Sequence, residues 1–359
     1  MAQIGMGIVG LGGIAQGAHL PGITASKDLR IAALCDIDEK KLKSTAEQYH
    51  IAGDRCFTDY RDLIACAGVE AISICTPNDV HFPAAMEAVK ARKPYAVEKP
   101  ITLNAGDAKI LADATAKAGI KSMVCFSYRY KTAARYAREL VRGGALGDIY
   151  HVSMDYLQAW GLPDHKTPLV WRFVKSQAGS GALGDLGCHA LDLVHFITGK
   201  NYTKVISDAD TFVKERKLPG KSGTGTADVD DYCNYMARME GGASATFRIS
   251  RFAYGRGNYQ RLEIYGSKGA LVYKLDEKPN KDELEVCIGK PLGDLNVFSP
   301  LPVPGSYAAS QMQSFADILN GKGDGTAASI EDGLENQIVL DALISSFEEQ
   351  KWITIEGRK

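Results

Sequence analysis

The sequence lacks the features that mark several broad classes of protein. Its 8 cysteines are scattered and none stand as C-x-x-C, which argues against a zinc site or a disulfide framework and indicates a reducing compartment. No apolar run is long enough for a transmembrane helix. The run at residues 4–11 is short and broken by glycines, so we expect no signal peptide. We therefore predict a cytoplasmic protein with no membrane partner.

Neither sign of charge dominates the sequence. The chain has 42 Lys and Arg against 43 Asp and Glu, a formal net charge of -1. Binding to nucleic acid or to an anionic membrane is favoured by an excess of positive charge, so we predict neither partner. Hydrophobic residues make up 45% of the 359 positions, which is enough to bury substantial cores. This length suggests about two domains.

Two patterns divide the chain near residue 127. Before it, short β-branched runs alternate with helical patterns, which predicts parallel strands joined by crossover helices. Beyond it, a strand-rich stretch between about 203 and 288 predicts a largely antiparallel sheet, with a loop over Lys217–Thr226. Further helices are predicted near residues 131–142, 186–197, 308–319 and 330–349. The predicted fold is α/β, with domains over residues 1–127 and 128–359.

A glycine motif follows the first predicted strand. Residues 5–10 match G-x-G-x-x-G literally, but they are the strand itself. The meaningful match reads Gly10-Leu11-Gly12-Gly13-Ile14-Ala15, because it follows a strand and opens a helix. Gly10 permits the tight turn, Gly12 lets a pyrophosphate approach the backbone, and the helix N-terminus attracts phosphate. We therefore predict a dinucleotide site that includes Gly10, Gly12, Gly13 and Ile14.

Asp36 supplies the second part of the dinucleotide signal. It follows the second predicted strand, about 20 residues beyond the loop, where a carboxylate can accept hydrogen bonds from the ribose hydroxyls. Its charge repels a 2′-phosphate, which favours NAD over NADP, although Lys40 and Lys41 lie near enough to weaken this preference. The alternative is that Asp36 only caps the helix that begins near Glu39.

Two polar strings stand where strands of the first domain end. They read Thr76-Pro77-Asn78-Asp79-Val80-His81 and Glu98-Lys99-Pro100. Ligands bind beyond the carboxyl ends of the strands in an open parallel sheet, so both strings are predicted to face the ligand site. The alternative is a simple turn for the first string and a solvated loop for the second.

A glycine-rich run in the second domain leads into Asp185 and His189. If a helix begins around Asp185, these two residues are i and i+4 and share a face, and Asp192 lies on nearly the same face. A carboxylate beside an imidazole is a general-base arrangement. The alternatives are a helix-capping aspartate with a packed histidine, or a divalent-metal site. No other His or Cys cluster supports the metal, so we predict none.

Taken together, these motifs resemble the Gfo/Idh/MocA family of glucose–fructose oxidoreductases and inositol dehydrogenases. The resemblance rests on the glycine loop, on Glu98-Lys99-Pro100 and on Asp185-x-x-x-His189, and it covers essentially the whole chain. The members most similar to it are levoglucosan- and inositol-dehydrogenase-like. The family implies a Rossmann domain followed by an α/β domain with a large open sheet, through which members commonly pair as homodimers or homotetramers.

The resemblance also implies roles for particular residues. Lys99, Asp185 and His189 match the family's catalytic residues, and Asp36 matches its ribose-binding acid. Cofactor contacts are implied for Thr76, Pro77, Asn78, His81, Glu98, Lys99, Trp171 and Arg172. Substrate contacts are implied for Gln158 and Trp160 together with Lys99, Asp185 and His189, and Tyr128 and Tyr307 are further candidates.

The implied activity is the NAD-dependent oxidation of a ring hydroxyl on a sugar, anhydrosugar, glycoside or inositol. Either His189 or Lys99 is the base, and the sequence leaves both assignments open. Two rival functions also stay open. One is glycoside hydrolysis or internal oxidoreduction with a tightly held NAD, and the other is an NAD-binding sensor without chemistry.

Overall fold

The computed structural model describes residues 2–276 and 281–356. The chain forms two compact units, Met1–Ser127 with Ala309–Gln337, and Tyr128–Ala308 with Ile338–Lys359. The predicted domains differ from these units in residues 309–337, which belong to the first unit and not to the second. Residues 357–359 of the predicted second domain lie outside the described residues.

The first unit contains a six-stranded sheet in which every strand pair is parallel, in the order β3-β2-β1-β4-β5-β6. Its strands are β1 (Ile4–Val9), β2 (Leu29–Cys35), β3 (Cys56–Phe57), β4 (Ala71–Ile74), β5 (Tyr95–Val97) and β6 (Ser122–Val124). The strands β1, β4 and β5 are almost wholly buried, as expected of a parallel sheet covered on both faces. The predicted Rossmann-type topology is confirmed.

Helices connect the strands of this sheet. They are α1 (Leu20–Ala25), α2 (Glu39–Tyr49), α3 (Tyr60–Ala65), α4 (Asn78–Lys90) and α5 (Ala105–Ala118). Side-chain caps set several of their first turns: Asp38 accepts backbone bonds at the start of α2, and Asn104 does so at the start of α5. Gly119, with φ of +63°, ends α5.

The second unit is built on a nine-stranded sheet in the order β16-β15-β14-β13-β7-β12-β11-β8-β17. Only β7 and β12 pair in parallel among its described strands, so the prediction of a largely antiparallel sheet is confirmed. The strands are β7 (Ile149–Leu157), β8 (Tyr202–Asp210), β11 (Tyr232–Met239), β12 (Ser244–Ser250), β13 (Tyr259–Gly266), β14 (Gly269–Asp276), β15 (Lys281–Ile288), β16 (Ser299–Leu301) and β17 (Ile353–Thr354).

A small hairpin corrects one prediction in this unit. The strands β9 (Glu215–Lys217) and β10 (Thr224–Thr226) pair with each other, so the predicted loop over Lys217–Thr226 is wrong at both ends. The glycines and serine between them form the turn, which is the part that the composition indicated.

The second unit also contains the helices α6 (Thr132–Arg142), α7 (Lys175–Ala178) and α8 (Cys188–Thr198). Burial alternates along β11 and β12, as it does in a sheet with one covered face. The helix α8 is buried at nearly every position, and it contacts both α6 and β7. It therefore lies on the covered face of the sheet.

The last two helices explain why residues 309–337 belong to the first unit. In α9 (Gln311–Leu319), Met312 and Phe315 are buried in the same apolar core as Leu20 and Ile23 of α1. The division between the units then falls within α10 (Ile330–Glu349). Across the described residues, no helix has both the length and the apolar character that crossing a bilayer requires.

Candidate functional site

The glycine loop joins β1 to the helix that follows it. Gly10 has a φ of +85°, and a Cβ at this position would stand 2.8 Å from the carbonyl oxygen of Cys75. Only glycine fits such a turn without strain. A Cβ at Gly12 or Gly13 would meet nothing within 4 Å, so the loop presents an open backbone face. Ile14 is 39% exposed beside it.

The chain beyond the loop turns directly into a helix. A π turn over Ala15–His19 continues as α1 without a break. Its first backbone N–H groups are therefore near the open face of the loop, where they can bind phosphate oxygens. The open glycines and the helix start together fit the pyrophosphate of a dinucleotide.

Asp36 stands at the end of β2, beside the loop. One carboxylate oxygen accepts a hydrogen bond from the Leu11 N–H at 2.7 Å, and the other accepts one from the Asp38 N–H at 2.9 Å. Lys41 Nζ lies 3.5 Å from the first oxygen. Asp38 is the residue that caps α2, so the alternative in which Asp36 is that cap is wrong. The Asp36 carboxylate is held where ribose hydroxyls bind in this fold.

His81 connects the two polar strings at the strand ends. Its ring is fully buried, with Nδ1 2.8 Å from the Pro100 carbonyl oxygen and Nε2 3.0 Å from that of Thr76. Burial lowers the pKa of His81 against the effect of these two bonds. Pro77 stands at the N-cap of α4 and Asn78 begins the helix. The structure thus brings the two strings together, and it uses the side chain of His81 to do so.

Glu98 and Lys99 follow β5 directly. Glu98 is 6% exposed and Lys99 is half-buried. The Glu98 N–H donates to the Ile74 carbonyl oxygen at 3.0 Å, which extends the β4–β5 pairing up to the lysine. Glu98 Oε1 lies 2.8 Å from His19 Nε2, a partner that the sequence did not indicate.

In the second unit, one helical segment carries Asp185 and His189. A π turn over Leu183–Gly187 runs directly into α8, and the Asp185 N–H donates to the Gly181 carbonyl oxygen at 2.9 Å. His189 is 7% exposed. The helical segment therefore begins two residues before the predicted start, and Asp185 precedes His189 by about one turn.

Asp230 anchors the start of this segment. Its two carboxylate oxygens accept hydrogen bonds from the Gly181 N–H at 2.6 Å and the Leu183 N–H at 2.7 Å. A Cβ at Gly181 would stand 1.8 Å from the Asp230 carbonyl oxygen, so no larger residue fits there. Burial raises the pKa of Asp230. The glycine-rich run before Asp185 thus serves close backbone contact, and sequence reasoning missed the aspartate that makes it.

Charged groups flank the two predicted catalytic residues of this unit. Arg172 Nε lies 3.8 Å from Asp185 Oδ1, and the same guanidinium stacks 4.3 Å from the ring centre of Trp171. Asp192 instead forms a buried ion pair with Arg129, whose Nη2 lies 2.6 Å from Oδ1. Both oxygens of Asp192 accept hydrogen bonds from Arg129, which weakens the case for Asp192 as a metal ligand.

A network of polar and aromatic side chains lies beside His189. The Tyr128 ring meets the His189 ring edge-on at 4.8 Å between centres. Asn258 Oδ1 accepts hydrogen bonds from Tyr128 at 3.0 Å, from Tyr156 at 2.8 Å and from Gln158 at 2.9 Å. Burial raises the pKa of Tyr156 well above its usual range, so its hydroxyl stays protonated.

Trp160 extends this network and Tyr307 lies elsewhere. Trp160 Nε1 donates to Gln158 Oε1 at 2.7 Å. Tyr307 packs on Tyr136, with 4.8 Å between ring centres. Of the predicted substrate-binding residues in this unit, the structure therefore groups Tyr128, Gln158 and Trp160, and it shows Tyr307 in a different contact.

One group within the described residues has the geometry of a metal site. It comprises His19, Glu98 and Cys125, all buried in the first unit, with potential ligand atoms within 4.8 Å of one another. The sequence had indicated a different metal candidate, the set of Asp185, His189 and Asp192, which is not such a group in the described chain.

Comparison with protein families matches both units. Residues 4–126 match a family described as an oxidoreductase family with an NAD-binding Rossmann fold. Residues 134–272 match the GFO/IDH/MocA C-terminal domain. A levoglucosan dehydrogenase from Pseudarthrobacter phenanthrenivorans is 30% identical over 328 residues, with 83% of each chain covered.

Two solved structures are similar to this chain over its full length. A crystal structure of an oxidoreductase domain protein from Kribbella flavida is 33% identical, with a TM-score of 0.89, and the match covers 99% of this chain and 100% of that one. A levoglucosan dehydrogenase in complex with NADH and L-sorbose is 26% identical, also with a TM-score of 0.89, and all of both chains is covered.

Proposed function

The chain belongs to the Gfo/Idh/MocA family of NAD-binding oxidoreductases, and from that premise we propose its substrate and the roles of its residues. It oxidises a secondary hydroxyl on the ring of a sugar, anhydrosugar, glycoside or inositol to the ketone. Levoglucosan is the first substrate to test, because a relative that acts on it has 30% identity to this chain.

The side chains around His189 carry this proposal. Tyr128, Gln158 and Trp160 combine aromatic faces with hydrogen-bonding groups, and all three belong to the network that includes Asn258. A sugar ring presents C–H surfaces to aromatic faces and hydroxyls to polar groups. The composition of this network therefore suits a polyol better than a flat or apolar substrate.

The first unit supplies a place for the cofactor. The open glycines would hold the pyrophosphate, and Asp36 would hold the ribose. Lys41 Nζ lies 3.5 Å from the Asp36 carboxylate and partly offsets its negative charge. When bound, NAD supplies the acceptor for the hydride that leaves the carbinol carbon. Binding, orientation and proton transfer are then the work of this chain's own residues.

In the proposed reaction, His189 takes the proton of the substrate hydroxyl. Asp185 favours the protonated imidazole, because a nearby carboxylate stabilises that cation. Lys99 hydrogen-bonds the same substrate oxygen and stabilises its developing negative charge. The reverse assignment, with Lys99 as the base and His189 as its relay, uses the same atoms, and the test below separates the two.

The test follows NADH formation by purified protein with NAD and a panel of substrates. The panel holds levoglucosan, glucose, methyl glucosides, myo-inositol and scyllo-inositol, each repeated with NADP. We expect turnover with NAD and at least one member. Lys99→Ala and His189→Ala should each lower kcat by about 10²–10⁴-fold. The variant that also removes the fall of kcat at low pH identifies the base, because a general base works only when it is deprotonated.

Lys90→Ala is the matched control, since Lys90 is exposed on α4 and forms an ion pair with Glu87, three residues earlier on the same helix. It should leave kcat within about twofold of wild type. Activity of Lys99→Ala or His189→Ala within that same range would contradict the proposed roles. A silent panel with NADH binding intact would instead favour a tightly held cofactor or a sensor.

The homodimer or homotetramer and the cytoplasmic location stay predictions. The face of the nine-stranded sheet opposite α8 bears exposed side chains that are apolar in some positions and charged in others. They include Met236, which is 48% exposed, and Arg248. A face of this kind is suited to pairing between copies of the chain.

A further inference from the structure

Three elements of the first unit meet at the imidazole of His19. The residue ends the π turn that follows the glycine loop. Its Nδ1 lies 2.7 Å from the hydroxyl of Ser73 on β4, and its Nε2 lies 2.8 Å from Oε1 of Glu98, just beyond β5. His19 and Ser73 are 0% exposed and Glu98 is 6% exposed. The phosphate-binding end of the unit is thus connected through one side chain to the residue before Lys99.

The surroundings of His19 favour its charged form. Burial alone lowers the pKa of His19, but Cys75 and Glu98 outweigh burial and raise this pKa to about 10. Cys125 and His81 are further titratable groups near Glu98. An imidazolium donates from both ring nitrogens, which matches the two oxygen partners. A buried carboxylate with such a donor is held in one orientation, because both partners lose interaction if either turns away.

Glu98 transmits this constraint to the lysine. Its Oε1 faces His19, while its Oε2 accepts a hydrogen bond from the Lys99 backbone N–H at 3.3 Å. Its own N–H is bound to the Ile74 carbonyl oxygen. The backbone at the base of the Lys99 side chain is therefore fixed from two directions, by the sheet and by the Glu98 carboxylate.

A metal ion is the competing explanation for His19, Glu98 and Cys125 together. Their ligand atoms lie within 4.8 Å of one another. However, the His19 ring nitrogens already have Ser73 and Glu98 as partners, and at 2.8 Å the Nε2–Oε1 contact is a direct hydrogen bond. An ion between these two atoms would require them to separate. The geometry favours the hydrogen-bonded pair.

We propose that His19 is a positioning residue for the oxidation reaction, which orients Lys99 through the Glu98 carboxylate and holds it in register with the glycine loop. This inference rests on the proposed function, because it takes Lys99 as the group that contacts the substrate oxygen. His19 is thereby added to the residues that the reaction depends on. It contacts neither substrate nor cofactor, and its effect appears in kcat.

The test compares His19→Leu, which removes both hydrogen bonds and the charge, with His19→Gln, whose amide can still donate to Glu98. His50→Asn is the matched control, because His50 is an exposed histidine of the same unit and Asn tolerates its φ of +55°. Lys99→Ala is measured in parallel. The readouts are kcat and KM, the Kd for NADH, the pH profile of kcat, and the metal content of the purified protein.

We expect His19→Leu to lower kcat by about 10²-fold, the effect of a small misplacement of a catalytic group. The Kd for NADH should stay within about threefold of wild type, and His19→Gln should recover most of kcat. Because His19→Leu removes a charged donor from the carboxylate next to Lys99, the pH profile of kcat should also shift in this variant. His50→Asn should behave as wild type.

A readout that needs no turnover separates this inference from the proposed function. The rate at which trace acetic anhydride labels Lys99, measured by peptide mass spectrometry across pH, should shift in His19→Leu and return in His19→Gln. If Lys99→Ala is active, the proposed function fails, and this labelling profile alone decides whether His19 positions Lys99. An unshifted profile overturns the inference in every case.

Three further results would also overturn it. His19→Leu with wild-type kcat beside an inactive Lys99→Ala would leave the proposed function standing and remove His19 from it. One metal ion per chain in the wild type, lost in His19→Leu, would identify a metal site in place of the hydrogen-bonded pair. Equal loss of kcat and of NADH affinity in both His19 variants would mean a purely structural role.

Discussion

At the scale of residues, one oxygen organises the predicted substrate side of the second unit. Oδ1 of Asn258 accepts hydrogen bonds from Tyr128, from Tyr156 near the end of β7 and from Gln158 just beyond it. An amide oxygen has two lone pairs, so these three donors more than saturate it. The amide nitrogen of Asn258 consequently points away from them, and the Tyr128 ring is held against His189.

We predict that Asn258→Ala impairs oxidation of the best substrate. The change leaves three buried or half-buried donors without their shared acceptor, at a cost of about 1–3 kcal/mol. If this arrangement forms the substrate side, kcat/KM should fall about tenfold or more, as steady-state kinetics would measure. Asn234→Ala, on an exposed position of β11, is the control. An unchanged kcat/KM in Asn258→Ala would show that the network is only structural.

Residues in motifs were predictable, and their partners were not. Lys99, Asp185 and His189 stand in short strings that are visible in the sequence. Asn258 and Asp230 stand alone in unremarkable stretches, 100 and 49 residues from their partners Gln158 and Gly181. Their roles depend on strand pairing that brings distant positions together, and no local pattern encodes that pairing.

At the scale of elements, the glycine loop shows how backbone geometry limits the residue type. The left-handed turn at Gly10 places its α-carbon against the end of β4, while Gly12 and Gly13 face open space. The three glycines therefore serve different purposes. The first permits close packing of chain on chain, and the other two permit close approach of a ligand.

Gly10→Ala should weaken cofactor binding. The new Cβ would stand 2.8 Å from the Cys75 carbonyl oxygen, and the φ of +85° is unfavourable for alanine. A left-handed residue costs about 1–2 kcal/mol, so the loop should shift and the Kd for NADH should rise about tenfold or more. Gly53→Ala is the control, because its Cβ would meet nothing within 4 Å. Equal NADH titrations for the two variants would contradict this account.

Long periodic helices were predictable in both position and extent. The observed bounds of α6 and α10 agree to within one residue with the predicted ranges 131–142 and 330–349. Short elements were missed, including β3, α3 and β17, because a few residues carry too little periodicity to register. The π turns before α1 and α8 were also missed, since their extra residue per turn leaves no mark in composition.

At the scale of the whole molecule, the segment 309–337 belongs to the first unit although it follows most of the second unit in sequence. Phe315 is 0% exposed and shares a core with Leu20 and Ile23. A Cβ at Gly22 would stand 2.9 Å from Met312 Cγ, so α9 packs close to α1. This segment is part of the core of the unit that binds the cofactor.

Phe315→Ala should therefore destabilise the first unit. Truncation of a fully buried phenylalanine costs about 3–5 kcal/mol, and chemical unfolding followed by loss of NADH binding should detect it. Phe347→Ala provides the comparison, because Phe347 on α10 is 36% exposed and belongs to the second unit. Similar shifts of the unfolding midpoint for both variants would place the stabilising contacts of Phe315 elsewhere.

The two-unit organisation was only partly visible in the sequence. A change of pattern marks the passage near residue 127, because parallel strands and an antiparallel sheet have different signatures. The return of the chain to the first unit at residue 309 has no such signature in the sequence. The helical pattern there is the same whether its apolar side packs on one unit or the other, so the sequence placed it with its neighbours.

The chain passes between the two units at residues 127–128, at 308–309 and again within α10. Recombination with a relative at a single crossover near residue 127 would therefore separate Leu20 and Ile23 from the helix that was selected to pack on them. A functional chimaera that exchanges the cofactor unit needs two transplanted segments. In laboratory shuffling of such genes, the surviving hybrids should inherit residues 309–337 from the same parent as residues 1–127.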